Sequence, residues 1–168
     1  MFRGCTKLTV APKLSATILT NYCYNGMFDG CTSLTTAPTL LATTLANSCY
    51  QFMFQNCTSL TVAPELPITT LTNGCYSGMF FGCTSLTTAP ELPAKTLAQN
   101  CYNNMFASCT NLNYIKAMFV TTPGASVTSN WVNGVASTGT FVKSTTALWD
   151  VTGISGIPEG WTVQTASN

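Results

Sequence analysis

Apolar and polar positions along this chain recur with one fixed period. Met-Phe stands at Met1, Met27, Met53, Met79 and Met105, always 26 residues apart and with no insertion. Inside each unit the apolar residues first come every three positions, as at Cys5, Leu8, Ala11 and Leu14. That spacing suits a tight coil entering a short strand, expected over residues 9–14, 35–40, 61–66 and 87–92. A proline falls inside each of these stretches (Pro12, Pro38, Pro64, Pro90), removing one ladder donor and keeping the strand short. The spacing then changes. Leu45, Cys49 and Met53 stand at i, i+4 and i+8, and Tyr50 pairs with Phe54 at i, i+4, which predicts a helix over residues 43–54 and its copies. Thr17, Thr43 and Thr69 fit as N-caps, and Gly4, Gly30 and Gly82 fit the turn where the helix ends.

A unit of this length cannot bury its own apolar stripe and must stack on its neighbours, so the array is a solenoid. The ruler extends into the less regular third of the chain. One period beyond Met105 is Trp131, with Val132 at the Phe position and Val135 at the first Cys position; Val127 lies one period after Cys101. Residues 1–146 therefore read as coils starting at 1, 27, 53, 79, 105 and 131, the last two degenerate. Residues 147–168 lose the register and carry Trp149, Ile157 and Trp161; they read as a C-terminal cap with one or two strands. Because the repeat starts at Met1, the first coil is expected to have an uncovered face, pointing to a longer protein, a covering partner or self-association through that coil.

Composition narrows the partners. Charged residues make up 7% of the chain, against about 25% in ordinary domains, and the formal net charge is +1. The six cations (Arg3, Lys7, Lys13, Lys95, Lys116, Lys143) are scattered, which argues against a nucleic-acid partner. No apolar run reaches the ~20 residues of a membrane span, and the start carries no apolar export signal. With no histidine and five carboxylates (Asp29, Glu65, Glu91, Asp150, Glu159), no nucleophile has an imidazole base, and the chain is read as a non-enzyme without cofactor.

Nine cysteines form two columns: Cys5, Cys31, Cys57, Cys83, Cys109 and Cys23, Cys49, Cys75, Cys101. Zinc would want ligands two to four residues apart, whereas the spacings here are 18 and 8. Disulfides between coils are in range by distance, but stacked residues point their Cβ atoms in parallel, and the count is odd. Both columns continue as Val127 and Val135, which a packing role allows and a ligand role does not. The cysteines are therefore read as buried free thiols and the metal set as none.

Positions that vary between copies should face solvent. One column is Arg3, Asp29, Gln55 and Phe81; another, on the expected helix side, is Tyr22, Ser48, Gly74 and Asn100. The strand side offers Lys13, Thr39, Glu65 and Glu91 beside Val10, Thr36, Val62, Thr88 and Tyr114, and this is the candidate recognition face. Glu65 and Glu91, one period apart, read as a solvated acidic spot rather than a catalytic pair.

The run F-x-x-C-x-x-L-x-x-A-P-x-L, carried by Phe28-Asp29-Gly30-Cys31-Thr32-Ser33-Leu34 and its copies from Phe2, Phe54, Phe80 and Phe106, resembles the BspA-like bacterial leucine-rich repeats. The unit departs from them in its 26-residue length and in Ala-Pro where they carry Ile. The resemblance implies an α/β repeat solenoid: a right-handed leucine-rich-repeat coil stack with short parallel strands, a helical or irregular opposite side and a β-containing cap. It also implies a secreted or cell-surface adhesin-like module of host-associated bacteria, binding a protein or glycan along its strand face, with no catalytic residues. The alternative is a structural spacer or assembly segment of a larger surface or phage-fibre protein.

Overall fold

A computed structural model describes residues 1–166; residues 167 and 168 of the expected cap lie outside the described residues. Its backbone hydrogen bonds follow the 26-residue period. The N–H of Tyr24 donates to the carbonyl of Cys49 at 3.0 Å, Phe28 to Met53 at 2.9 Å, Phe54 to Met79 at 2.9 Å and Phe106 to Trp131 at 2.8 Å. Each unit is one coil, and each coil donates to the next.

The helix expected over residues 43–54 does not form, and the described residues contain no helix. The stretch is instead a train of overlapping turns. The N–H groups of Cys49, Gln51, Met53 and Gln55 donate back three residues, to Ala46, Ser48, Tyr50 and Phe52. The alternate N–H groups, of Ser48, Tyr50, Phe52, Phe54 and Asn56, donate to the following coil. A helix would use all of these donors internally and leave none for stacking. Every fourth residue has positive φ: 22, 26, 30; 48, 52, 56; 74, 78, 82; 100, 104, 108. That is the third position of every second turn, where a type II turn requires a left-handed residue. Thr17, Thr43 and Thr69 consequently cap nothing helical, and Gly4, Gly30 and Gly82 serve the turn train rather than a helix end.

The strand side also departs from expectation. The coils with Ala-Pro make single-residue bridges only, Val10 to Thr36 and Thr36 to Val62. No strand covers residues 9–14, 35–40, 61–66 or 87–92. Extended strands appear where the proline is gone: β1 (Tyr114–Ala117), β2 (Thr140–Lys143) and β3 (Thr162–Thr165), parallel, in that order, in one open sheet. Tyr114 pairs with Thr140, and Thr140 with Thr162. Thr88 bridges Tyr114, but Leu92 bridges Ala117, so the Pro90 coil holds one extra residue between the two contacts, a local bulge. The α/β leucine-rich-repeat class is thus overturned: the described residues hold no helical side and three short parallel strands in one open sheet.

The core is a set of columns. Phe2, Phe28, Phe54, Phe80 and Phe106 stack with ring centroids 5.5–5.8 Å apart, and Tyr24, Tyr50, Tyr76 and Tyr102 at 5.8–6.3 Å. Such pairs contribute about 0.5–1.5 kcal/mol each beyond their burial. Both columns end on Trp131, 6.2 Å from Tyr102 and 6.3 Å from Phe106. Its indole N–H donates to Gly156, while Asn130 and Val132 donate to the Ser155 hydroxyl and the Ile154 carbonyl, so residues 154–156 close that end. The indoles of Trp149 and Trp161 donate to Phe119 and Ala136. The other end is open: Met1 is 98% exposed, and Cys5 and Cys23 are exposed, whereas Met53, Cys57 and Cys75 are fully buried.

Candidate recognition surface

The expected strand-face residues lie on one side of the stack. Val10, Lys13, Thr36, Thr39, Val62, Glu65, Thr88 and Glu91 are exposed, and Tyr114 is half-buried at the start of β1. The parallel bridges place Val10, Thr36 and Val62 in one line and Thr88 with Tyr114 in another. Among the described residues no bridge joins Val62 to Thr88. The column is therefore interrupted between the third and fourth coils.

A groove of about 450 Å³ lies at that interruption, lined by Pro64, Glu65, Leu66, Pro67, Pro90, Glu91 and Pro93. These two coils carry a second proline, Pro67 and Pro93, where the earlier coils have Ser15 and Leu41. Each coil here lacks two N–H donors, so the strand side forms no continuous ladder at this point. The buried Leu66 and Pro64 form an apolar floor. The Lys116 ammonium lies 3.1 Å from Glu91, while Glu65 has no ion partner among the described residues. The groove thus couples an apolar floor to one uncompensated carboxylate. Sequence reasoning named Glu65 and Glu91 but not the groove, whose signal was the repeated Pro-x-x-Pro pair.

The cysteines do not offer a second site. Cys31, Cys57, Cys83 and Cys109 are buried, and each donates its thiol proton to the carbonyl of a Phe in the preceding coil at 3.0–3.1 Å. Burial pushes Cys49 and Cys101 up to about 11 and Cys57, Cys75 and Cys109 up to about 12, from an ordinary 9.0. Such thiols stay protonated near neutral pH and are poor nucleophiles and poor metal ligands. At the open end Arg3 pairs with Asp29 at 2.8 Å, so two members of one variable column neutralise each other.

On the turn side the variable column runs through Tyr22, Ser48, Gly74 and Asn100. This side also carries exposed amides that recur almost unchanged: Asn21, Asn47, Asn73 and Gln99. Repetition in this chain therefore marks exposed positions as well as core ones. No helix among the described residues is long and apolar enough to cross a membrane. No protein-family model, curated protein or solved structure matches the chain, so the likeness to BspA-like repeats rests on the motif alone.

Proposed function

We propose that this chain is a non-enzymatic recognition module that takes an extended protein segment on its strand side. The observation that supports the reading is the lapse in pairing between the third and fourth coils, with the groove that opens there. Leu66 and the prolines receive an apolar side chain, and Glu65 receives a neighbouring cation. The exposed Thr and Val positions on either side extend the contact along the stack, as repeat proteins do with their long faces. A secreted or cell-surface setting belongs to the same proposal, through the motif likeness. The test is a binding screen against extracellular-matrix proteins, with a Glu65→Gln/Glu91→Gln variant of unchanged melting temperature alongside. A protein captured by the parent and lost by the variant supports the groove; equal capture by both sinks it.

A second reading, assembly with other coils into a longer stack, is favoured by the pairing between coils: alternate N–H groups of each coil donate to the carbonyls of the next, and a further coil can take up the same pattern. Concentration-dependent association abolished by Leu8→Asp would support this; a strict monomer across the concentration range would count against it.

A further inference from the structure

The turn side carries a second groove, of about 450 Å³, with a chemistry unlike the first. No charged side chain lines it. Its walls are aromatic rings, Tyr22 and Phe52, and amides, among them Asn47, Gln51, Asn73 and Asn103. The two aromatics are the informative pair. Among the described residues eight non-glycine positions have positive φ; four are Asn, which tolerates it, and two are the small Ser48 and Ser108. The other two are Tyr22 (φ 60°) and Phe52 (φ 54°), where the equivalent places in other coils hold Gly74 and Gly26 or Gly78. Bulky residues in that conformation are strained, and the structure spends them only at this groove.

We propose that the groove binds a neutral oligosaccharide. The rings offer flat apolar faces to the C–H faces of pyranose rings. An amide presents an acceptor and two donors together, which suits vicinal hydroxyls. The side-chain amides of Asn47 and Asn73 are exposed and take no hydrogen bond from the chain among the described residues. Gln51 accepts from Asn25 at 2.9 Å through its carbonyl and keeps its NH₂ free to donate. The lining comes from four successive coils, with Tyr22 in the first, Phe52 in the second, Asn73 in the third and Asn103 in the fourth, so an extended chain of sugars lying along the stack meets one coil after another. The absence of charge in the lining disfavours sulfated, sialylated or peptidic ligands.

The experiment uses the full chain on an array of neutral and acidic glycans, followed by calorimetry with the best neutral oligosaccharide. The key variant is Tyr22→Gly/Phe52→Gly, which restores residues that the same backbone positions hold elsewhere. It should melt no lower than the parent and bind the glycan roughly tenfold more weakly or worse. Asn73→Ala should weaken binding less, and Glu65→Gln/Glu91→Gln should leave it unchanged, separating this site from the strand-side one. No retained neutral glycan at millimolar concentration, a preference for acidic glycans, or full binding by the folded double glycine variant would each overturn the proposal.

Discussion

The first and third coils are built from nearly the same residues and live in different surroundings. Met53, Phe54, Cys57 and Leu60 are fully buried, whereas Met1 and Cys5 are exposed and Phe2 and Leu8 are half-buried. Phe54 stacks on Phe28 at 5.5 Å and on Phe80 at 5.8 Å; Phe2 has Phe28 alone, at 5.7 Å. With side-chain chemistry held constant, the number of flanking coils decides the burial. Stability in this architecture belongs to the contact between coils rather than to the coil, which is the nearest-neighbour behaviour expected of repeat arrays. Side chains at the middle of the stack should dominate its energetics, and those of the first coil should contribute little.

The largest expected effect comes from the buried thiols. In the unfolded chain each would release its proton near 9.0, while in the folded chain Cys49 and Cys101 hold it to about 11 and Cys57, Cys75 and Cys109 to about 12. Between those values the folded form binds more protons, so the thiols' contribution to stability is constant below about pH 9 and falls as pH rises through the window. Each thiol contributes a slope approaching about 1.4 kcal/mol per pH unit, and together they should unfold the stack within one or two units. Burial also raises Tyr50, Tyr76 and Tyr102, which steepens the fall at higher pH. Urea unfolding at a series of pH values would show it. The Cys49→Val/Cys75→Val variant should lose part of the slope. A slope equal to the parent's would break the link between burial in the middle of the stack and stability at high pH.

Aromatic truncation sharpens the same contrast. Phe54→Ala removes a ring packed on both sides and should cost about 3–5 kcal/mol. Phe2→Ala removes a half-buried ring with a single stacking neighbour and should cost less than about half of that. Chemical denaturation of the two variants measures the difference directly. Matching losses would mean that the first coil is covered in solution, by a second copy or otherwise, and would strengthen the assembly reading.

The core columns were legible in the sequence because a residue repeated at a fixed interval in stacked coils must meet its own copies. Exposure of the strand-face column was legible too, since Lys13, Thr39, Glu65 and Glu91 vary while their neighbours do not. The turn train was not legible from apolar spacing. Its buried pairs, Cys49-Tyr50 and Met53-Phe54 followed by Cys57, recur every four residues. Over nine residues a period of 4.0 cannot be told from the 3.6 of a helix. Gly74, Gly78 and Gly82, also four apart, held the missing signal, because a helix interior does not favour three glycines on one face. Strands over residues 9–14, 35–40 and 61–66 are not legible as single bridges for a related reason: one proline per coil does more than shorten the strand and leaves one bridging residue in each coil. The two grooves depend on which coils lose pairing and which carry an aromatic at a glycine place, and neither follows from the repeat itself.

The smallest effect tests the strained aromatic at the turn-side groove against the open end. Gly4 and Gly78 both have positive φ, 72° and 60°, so an alanine at either is strained. Around Gly4 a Cβ would meet nothing within 4 Å, and Gly4→Ala should cost only the backbone strain, about 1 kcal/mol. At Gly78 the added methyl would overlap the Phe52 ring of the preceding coil, which must swing away. Gly78→Ala should therefore cost more, about 2–3 kcal/mol. In a Phe52→Gly background the ring is gone, and the excess over Gly4→Ala should vanish, which makes the coupling between positions 52 and 78 about 1–2 kcal/mol. A double-mutant cycle on urea unfolding measures it. Zero coupling would place the Phe52 ring away from Gly78, out over the groove or into solvent, and would remove the fixed aromatic wall on which the saccharide proposal depends.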